Sequence, residues 1–454
     1  MAEVKLHFCG GVGTVTGANF LLETGKLKIV VDCGLVQGTK LDNEQNRKAF
    51  PYDPKDVDIL FITHAHMDHI GRVPKLVHDG FNGVIYSTPE TKALAEVMLA
   101  DALSLLTREA QKEGLEPFYN EQDVKQALDM WHMIQYHTIT PIGDSIQVYL
   151  RDPGHILGSS MVEFRRNAKR LVFTGDLGNT PTPLLRDTEP LENTTYLVTE
   201  SVYGDRNHEN REDRRAKLAE AINKSLAQGG TLLIPSFSLE KTQVLLHELN
   251  DLLLEQKIRK VPIYLDSPLA IKVTEIYRAM TQSFNNDAKL EISGGDDIFN
   301  FPELHNVDGG EESQTLDRTS GPKIIIAGSG MSNGGRIVKH EKIYLPDPNS
   351  TVLFIGYQSV GTLGRAITEG AKYVQIGGET VPVRAHIAVV SGYSSHKDSD
   401  HIVEFVETSA KTLKKVFVVM GEPKASLFLV QKLKDLAGVD AYHPEQDEVV
   451  TLDM

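Results

Sequence analysis

The chain is 454 residues long, about three times the ~150 residues usual for one domain, which excludes a single small module and predicts two domains with sizeable cores. With 41% hydrophobic and 24% charged residues it has the composition of a globular protein, which excludes a fibre or a disordered tail. Lys and Arg number 47 against 62 Asp and Glu, a formal charge of −15, so the chain is not built to coat nucleic acid by long-range attraction.

A polyanion would therefore be held locally, by metal ions, a few arginines or oriented backbone amides. Two cysteines, Cys9 and Cys33, give no disulfide framework and suit a reducing compartment. The N-terminus enters strand-like sequence without a signal-peptide pattern, and apolar runs such as Asp58 to Thr63 fall far short of the ~18 residues of a membrane span. A cytoplasmic protein with no membrane partner is expected.

In chain order, Val4 to Thr24 reads as strand, glycine-rich loop, strand, and Leu27 to Asp32 as a further strand ending on an acid. Asp58 to Thr63 is a short buried strand, with helical turns expected from Gly71. Thr91 to Glu113 carries apolar residues at helical spacing, including Leu94, Val97, Met98, Ala102 and Leu105, which marks a packing face. Strands return at Ile146 to Leu150, Met161 to Phe164, Arg170 to Thr174 and Tyr196 to Thr199.

After the charged stretch GDRNHENREDRR the pattern changes to strands alternating with helices: TLLIPSF, a helix from Leu239 to Leu254, VPIYLD, and a helix near Ala270 to Thr281. That alternation predicts a parallel-sheet α/β unit. Residues 282 to 320 read as an exposed excursion, and KIIIAG, TVLFIG and KYVQIG as the strands that complete the unit. From His386 the first style resumes. The expected organisation is a first domain formed by residues 1–207 and 386–454, interrupted by an inserted domain at 208–385.

Chemistry concentrates in Thr63-His64-Ala65-His66-Met67-Asp68-His69, where a buried strand ends and a helix is about to begin. Strand ends are where loops can turn side chains toward one point. Imidazoles at 64 and 66 can face one metal ion while Asp68 and His69 face a neighbour, as two-metal hydrolases require. His155, in a turn-rich loop, and Asp176, at another strand end, can complete the set, Asp176 by bridging. Each of these two taken alone is more often a solvated histidine or a turn acid.

The order Asp32, HxHxDH, His155, Asp176 resembles the motif series of the metallo-β-lactamase superfamily, and the inserted part resembles the β-CASP nucleases. The blocks carrying that second likeness are TESVYG from Thr199, IPSFSLEKTQ from Ile234, YLDSPLAIKVTEIY from Tyr264, GSGMSNGGR from Gly328, GYQSVGTLGR from Gly356 and SGYSSHKD from Ser391. With no KH-like extension before Met1 and no further domain after Met454, the compact bacterial and archaeal ribonuclease type is the likeness expected. The resemblance implies an α/β architecture, an αββα sandwich with an inserted β-CASP α/β domain. It also implies two zinc ions held by His64, His66, Asp68, His69, His155 and Asp176, with Asp32 orienting ligands from behind.

At matched positions Glu200 and His396 would act together, His396 as the general acid that protonates the departing 3′ oxygen. One departure stands out. Where the family's ribonucleases carry a histidine in a Val-His-Gly-Glu-like block, this chain reads Val418-Val419-Met420-Gly421-Glu422. A thioether is a soft ligand that suits Cu(I) better than Zn²⁺, so a weaker second site is expected. His386 is a spare-ligand candidate.

Glycine-rich GSGMSNGGR lacks the G-x-G-x-x-G spacing and a Walker lysine, but its amides can form an anion nest. Ser329, Gly330, Arg336, Arg365 and Ser395 are the candidate substrate-binding residues, the arginines as phosphate forks whose bland counterpart is an ordinary ion pair. The function expected is a zinc-dependent ribonuclease cutting single-stranded RNA internally, with 5′-exonuclease action as a further mode. Single-stranded RNA and, in a homodimer, a second copy of the chain are the expected partners. The alternatives are a DNA nuclease of the same fold, suggested by Met420, a catalytically silent RNA-binding scaffold, and a small-molecule thioester or lactam hydrolase.

Overall fold

A computed structural model describes residues 3–37, 40–208, 211–359 and 361–454; Glu209 and Asn210 of the charged stretch and Val360 of the GYQSVGTLGR block lie outside them. Its contacts divide the chain into two units, one running to Asn207 and resuming at His396, the other spanning His208–Ser395.

The first unit contains two seven-stranded sheets. One is ordered Val449–Leu452, Val4–Gly10, Asn19–Glu23, Lys28–Val31, Ile59–Phe61, Val84–Ser87, Trp131–Met133; the other Ala441–Tyr442, Lys415–Val418, Tyr196–Thr199, Lys169–Phe173, Met161–Arg166, Ile146–Arg151, Thr140–Gly143. Successive strand residues point to opposite faces, so Val4, Leu6 and Phe8 are buried while Lys5 is exposed. The inward faces meet through aromatic pairs: Phe61 on Phe164 at 5.4 Å, Phe20 on Phe173 at 5.9 Å and Phe8 on Phe417 at 5.3 Å.

Helices cover the outer faces. Ser399–Glu407 and Pro423–Lys432 bring Ile402, Val406 and Leu429 against Val172, Leu197 and Val416 of the second sheet. On the first sheet the helix Pro89–Glu113 starts at a Thr88 cap and ends on left-handed Gly114, and its Lys92 donates to the Trp131 carbonyl of the edge strand at 2.8 Å. The layers are αββα.

The second unit is built on a six-stranded, all-parallel sheet ordered Leu304–Asn306, Ile263–Asp266, Lys323–Ala327, Thr231–Pro235, Thr351–Phe354, His386–Val389. Its central strands Thr231–Pro235 and Lys323–Ala327 are buried throughout, which explains their unbroken apolar runs.

Three expectations are corrected here. Residues 282–320 are not an irregular loop: they contain the helices Asn286–Ser293 and Gly310–Leu316 and the edge strand Leu304–Asn306. Phe284 and Phe299 pack on Tyr277, and a polar composition concealed these few aromatic anchors. KYVQIG does not join the parallel sheet, because Tyr373–Ile376 folds back on Glu379–Pro382 as a separate hairpin. The return to the first unit falls at His396 and not at 386, since His386–Val389 pairs with Thr351–Phe354 as the edge of the inserted sheet. Among the described residues no helix is long and apolar enough to cross a membrane.

Candidate metal centre

Strand direction gathers the chemistry of the first unit. Lys28–Val31 runs parallel to Ile59–Phe61, and Lys169–Phe173, Tyr196–Thr199 and Lys415–Val418 run parallel to one another. Asp32, Thr63 with His64, Asp176, Glu200 and Met420 all follow carboxyl ends of these strands. His155 follows Ile146–Arg151, and His66 caps the short helix Met67–Ile70.

Glycine makes two close approaches possible. A Cβ on Gly34 would lie 1.5 Å from the Asp68 carbonyl oxygen, and one on Gly175, at φ 54°, would lie 2.7 Å from Thr63 Oγ1.

The structure brings His64, His66, His155 and Asp176 together. His64 Nε2 is 3.1 Å from His66 Nδ1, His155 Nε2 is 3.2 Å from the same Nδ1, and both Nε2 atoms are 3.4 Å from Asp176 Oδ2. Four ligands at ~2.1 Å around a tetrahedral zinc would stand about 3.4 Å apart. The donor set therefore fits such an ion in both chemistry and spacing.

A second group lies beside it. His69 Nε2 is 3.4 Å from Asp176 Oδ1 and 4.0 Å from Asp68 Oδ2. The His69 Nε2 and Asp176 Oδ1 atoms are buried with no hydrogen-bond partner among the described residues. Such atoms cost free energy unless something pairs with them, and a bridging Asp176 beside His69 and Asp68 fits a second cation.

Asp32 and Thr63 hold the donors in place. Asp32 Oδ1 accepts from Thr63 N at 2.8 Å, and its Oδ2 accepts from Thr63 Oγ1 at 2.8 Å and from His69 Nδ1 at 2.7 Å. Thr63 Oγ1, having given its proton to Asp32, accepts from His64 Nδ1 at 3.0 Å, which leaves His64 Nε2 as a lone-pair donor. The sequence reading gave Thr63 no role; the only signal was its place between the strand and HxHxDH.

Burial holds His64 below the ordinary imidazole value and His66 and His155 well below it, so these three stay neutral, the form a cation needs. For His69 burial acts in the same direction, but the carboxylates of Asp176 and Asp32 outweigh it and raise the imidazole. Burial raises Asp68, whereas for Asp176 the burial effect is overcome by His69, His64 and His396 and the carboxyl falls well below its usual range.

His396 borders the cluster. Its Nδ1 is 3.2 Å from each carboxylate oxygen of Glu200 and 3.8 Å from Asp176 Oδ2. Glu200 is fixed in turn by the backbone amides of Leu177, at 2.6 Å, and Val202, at 3.3 Å. Burial opposes charge on His396, yet Glu200 and Asp176 together lift it to about 9.

Other sequence candidates fare differently. Met420 is buried at φ 47° in the core cluster with Phe8 and Phe20, and its sulfur lies 2.5 Å from where a Cβ on Gly11 would sit. His386 is exposed on the edge strand of the second unit's sheet. Arg336, offered as a phosphate fork, is consumed inside its own unit by Asp266 Oδ1 at 2.5 Å, the Val307 carbonyl at 2.9 Å and the Asp308 carbonyl at 2.5 Å. Arg365 pairs with Glu369 one helical turn away at 2.6 Å. Ser329 Oγ accepts from Asn333 N at 3.1 Å, Gly330 packs against the Phe237 ring, and Ser395 closes the second unit.

Comparison with known proteins agrees with this layout. Residues 12–223 match the Metallo-beta-lactamase superfamily, 242–367 the Beta-Casp domain, and 380–444 the Zn-dependent metallo-hydrolase RNA specificity domain. Ribonuclease TTHA0252 of Thermus thermophilus is 34% identical over 429 residues, covering 94% of this chain and 95% of that protein. Transcription termination factor FttA of Methanosarcina mazei is 30% identical over 449 residues, 95% of this chain and 69% of its own length. A crystal structure of a protein of unknown function from Enterococcus faecalis V583 shares the fold at a TM-score of 0.55 and 14% identity, over 99% of this chain and 100% of that one. With these motifs, this donor geometry and relatives aligned over nearly its whole length, the chain belongs to the β-CASP family of metallo-β-lactamase hydrolases.

Proposed function

We propose that this protein is a zinc-dependent ribonuclease that hydrolyses phosphodiester bonds of single-stranded RNA. The observation that carries the reading is the four-donor cluster of His64, His66, His155 and Asp176 standing beside the His396 and Glu200 pair. RNA as the polymer is supported by the match of residues 380–444 to an RNA specificity domain and by a relative named as a ribonuclease.

His64, His66, His155 and Asp176 would hold one zinc, and Asp68, His69 and Asp176 a second. Bound there, zinc supplies a Lewis acid and water of lowered pKa. The chain's own residues do the rest. Asp32 and Thr63 keep the imidazoles in their ligand tautomers. Glu200 occupies His396 Nδ1, so the proton for the leaving 3′ oxygen is carried on Nε2. As water oxygen bonds to phosphorus and the bond to that 3′ oxygen breaks, His396 protonates it, giving a 3′-hydroxyl and a 5′-phosphate.

A DNA substrate is the second reading, favoured by the apolar Met420 at the position where the family's ribonucleases carry a histidine. Elemental analysis paired with end-labelled RNA and DNA strands of one sequence tests both. The expected result is cutting of RNA with zinc retained on the chain. Cutting of DNA alone would overturn the substrate, and absence of cutting with less than one metal per chain would favour the silent scaffold.

A further inference from the structure

The second unit holds a cation that the metal centre does not use. Lys241 opens the helix Lys241–Leu254, just after the turn that leaves the strand Thr231–Pro235. Its ammonium lies 4.4 Å from the centre of the Phe237 ring. The backbone of Gly330 rests against the same ring, where a Cβ would come within 2.4 Å of Phe237 Cδ2. A Cβ on Gly356 would come within 2.8 Å of Lys241 Nζ.

The Gly356 loop thus approaches the ammonium itself, and the Gly330 loop approaches the ring on which the ammonium stacks. Two hydroxyls, those of Ser238 and Ser267, stand 3.4 Å apart, at 3.7 and 3.8 Å from where a Cβ on Gly328 would lie.

Nothing in the described structure neutralises this charge. Among the described residues Nζ has no ion pair, and desolvation alone lowers its pKa, to about 8, with no carboxylate raising it. The two arginines that the sequence suggested for phosphate are already spent, Arg336 on Asp266 and backbone carbonyls and Arg365 on Glu369. Lys241 is only partly buried, so an incoming anion can reach this ammonium and supply the counter-charge it lacks.

We infer that Lys241, with the Ser238 and Ser267 hydroxyls and the backbone at Gly328, Gly330 and Gly356, holds a backbone phosphate of the nucleic-acid strand. This rests on the nuclease reading, because a phosphodiester is the anion that reading supplies. The contact is to phosphate, so it is blind to base identity.

The test measures binding of the full metal-loaded chain to a single-stranded RNA with phosphorothioate linkages that slow cutting, across a range of salt, with a DNA strand of the same sequence alongside. Lys241→Met should weaken binding roughly tenfold and reduce the slope of log affinity against log salt by about 0.7, the share of one single-strand phosphate. Lys241→Arg should keep the slope, and Lys241→Gln gives a second neutral form if the methionine variant does not fold. Native binding that survives both neutral variants with affinity and slope unchanged overturns the assignment while leaving the nuclease reading intact. Failure of the native chain to bind either strand defeats the nuclease reading, and the Lys241 assignment with it.

Discussion

Both carboxylate oxygens of Glu200 lie 3.2 Å from Nδ1 of His396, and the same carboxylate is pinned from behind by the Leu177 amide. The pair has the geometry that the proposed general acid needs: two backbone amides hold the carboxylate, and the carboxylate helps raise the imidazole to about 9. His396→Ala should lower kcat by 10²–10⁴-fold, roughly the worth of a general acid, with a smaller change in KM. His396 must be protonated to act, so activity should fall as pH rises through its pKa of about 9. Glu200→Gln removes the charge that raises that pKa and should move the alkaline limb to lower pH. An unmoved limb in that variant would show that another group sets it.

Thr63 joins Asp32 to His64, and Asp32 also fixes His69. Thr63→Val, nearly isosteric, and Asp32→Asn should each weaken metal retention by about 10–100-fold, the usual cost of losing a group that orients a ligand. Competition with a chelator of known affinity reads this directly. Retention equal to the native chain would mean that the donors hold their orientation without this support.

Met420 occupies a left-handed backbone position, φ 47°, where histidine is more at home than most side chains. Met420→His should raise the zinc content measured after dialysis and increase the rate on RNA. Unchanged content and rate would show that Asp68, His69 and Asp176 already complete their site.

Arg336 and His340 both grip the fully buried Asp266, and His340 also bonds Asp317 at 2.9 Å. Arg336→Met should cost about 3–5 kcal/mol, because it leaves a buried carboxylate one partner short. Arg365→Met, which breaks only a surface pair, should change stability by less than about 1 kcal/mol. Against the effect of burial, Asp266 and Asp317 raise His340 from 6.5 to about 9. A raised folded pKa gives stability that is complete below pH 6.5 and lost as pH climbs toward 9, worth about 3 kcal/mol in all. Urea melts across that window should show the loss in the native chain and its absence in His340→Gln.

Much of this protein is local and was readable from residue order. The HxHxDH cluster declares metal chemistry because four potential ligands crowd one strand end, and the alternation in Val4–Gly10 and the buried runs at Thr231–Pro235 and Lys323–Ala327 give strands their faces. Reading failed where few residues decide. Three aromatics turned the polar segment 282–320 into packed structure, and His386–Val389 went to the inserted sheet because its partner strand, thirty-five residues earlier, could not be identified from pattern.

By itself the sequence determined which residue types were available for a metal and where strands would end, since both depend on neighbours along the chain. Tertiary structure alone decided how those residues are used. Asp32 reaches His69 only because two parallel strands end side by side, and Arg336 is spent only because Asp266 is buried within its reach. Such pairings are set by packing between segments distant in sequence, which no local pattern records.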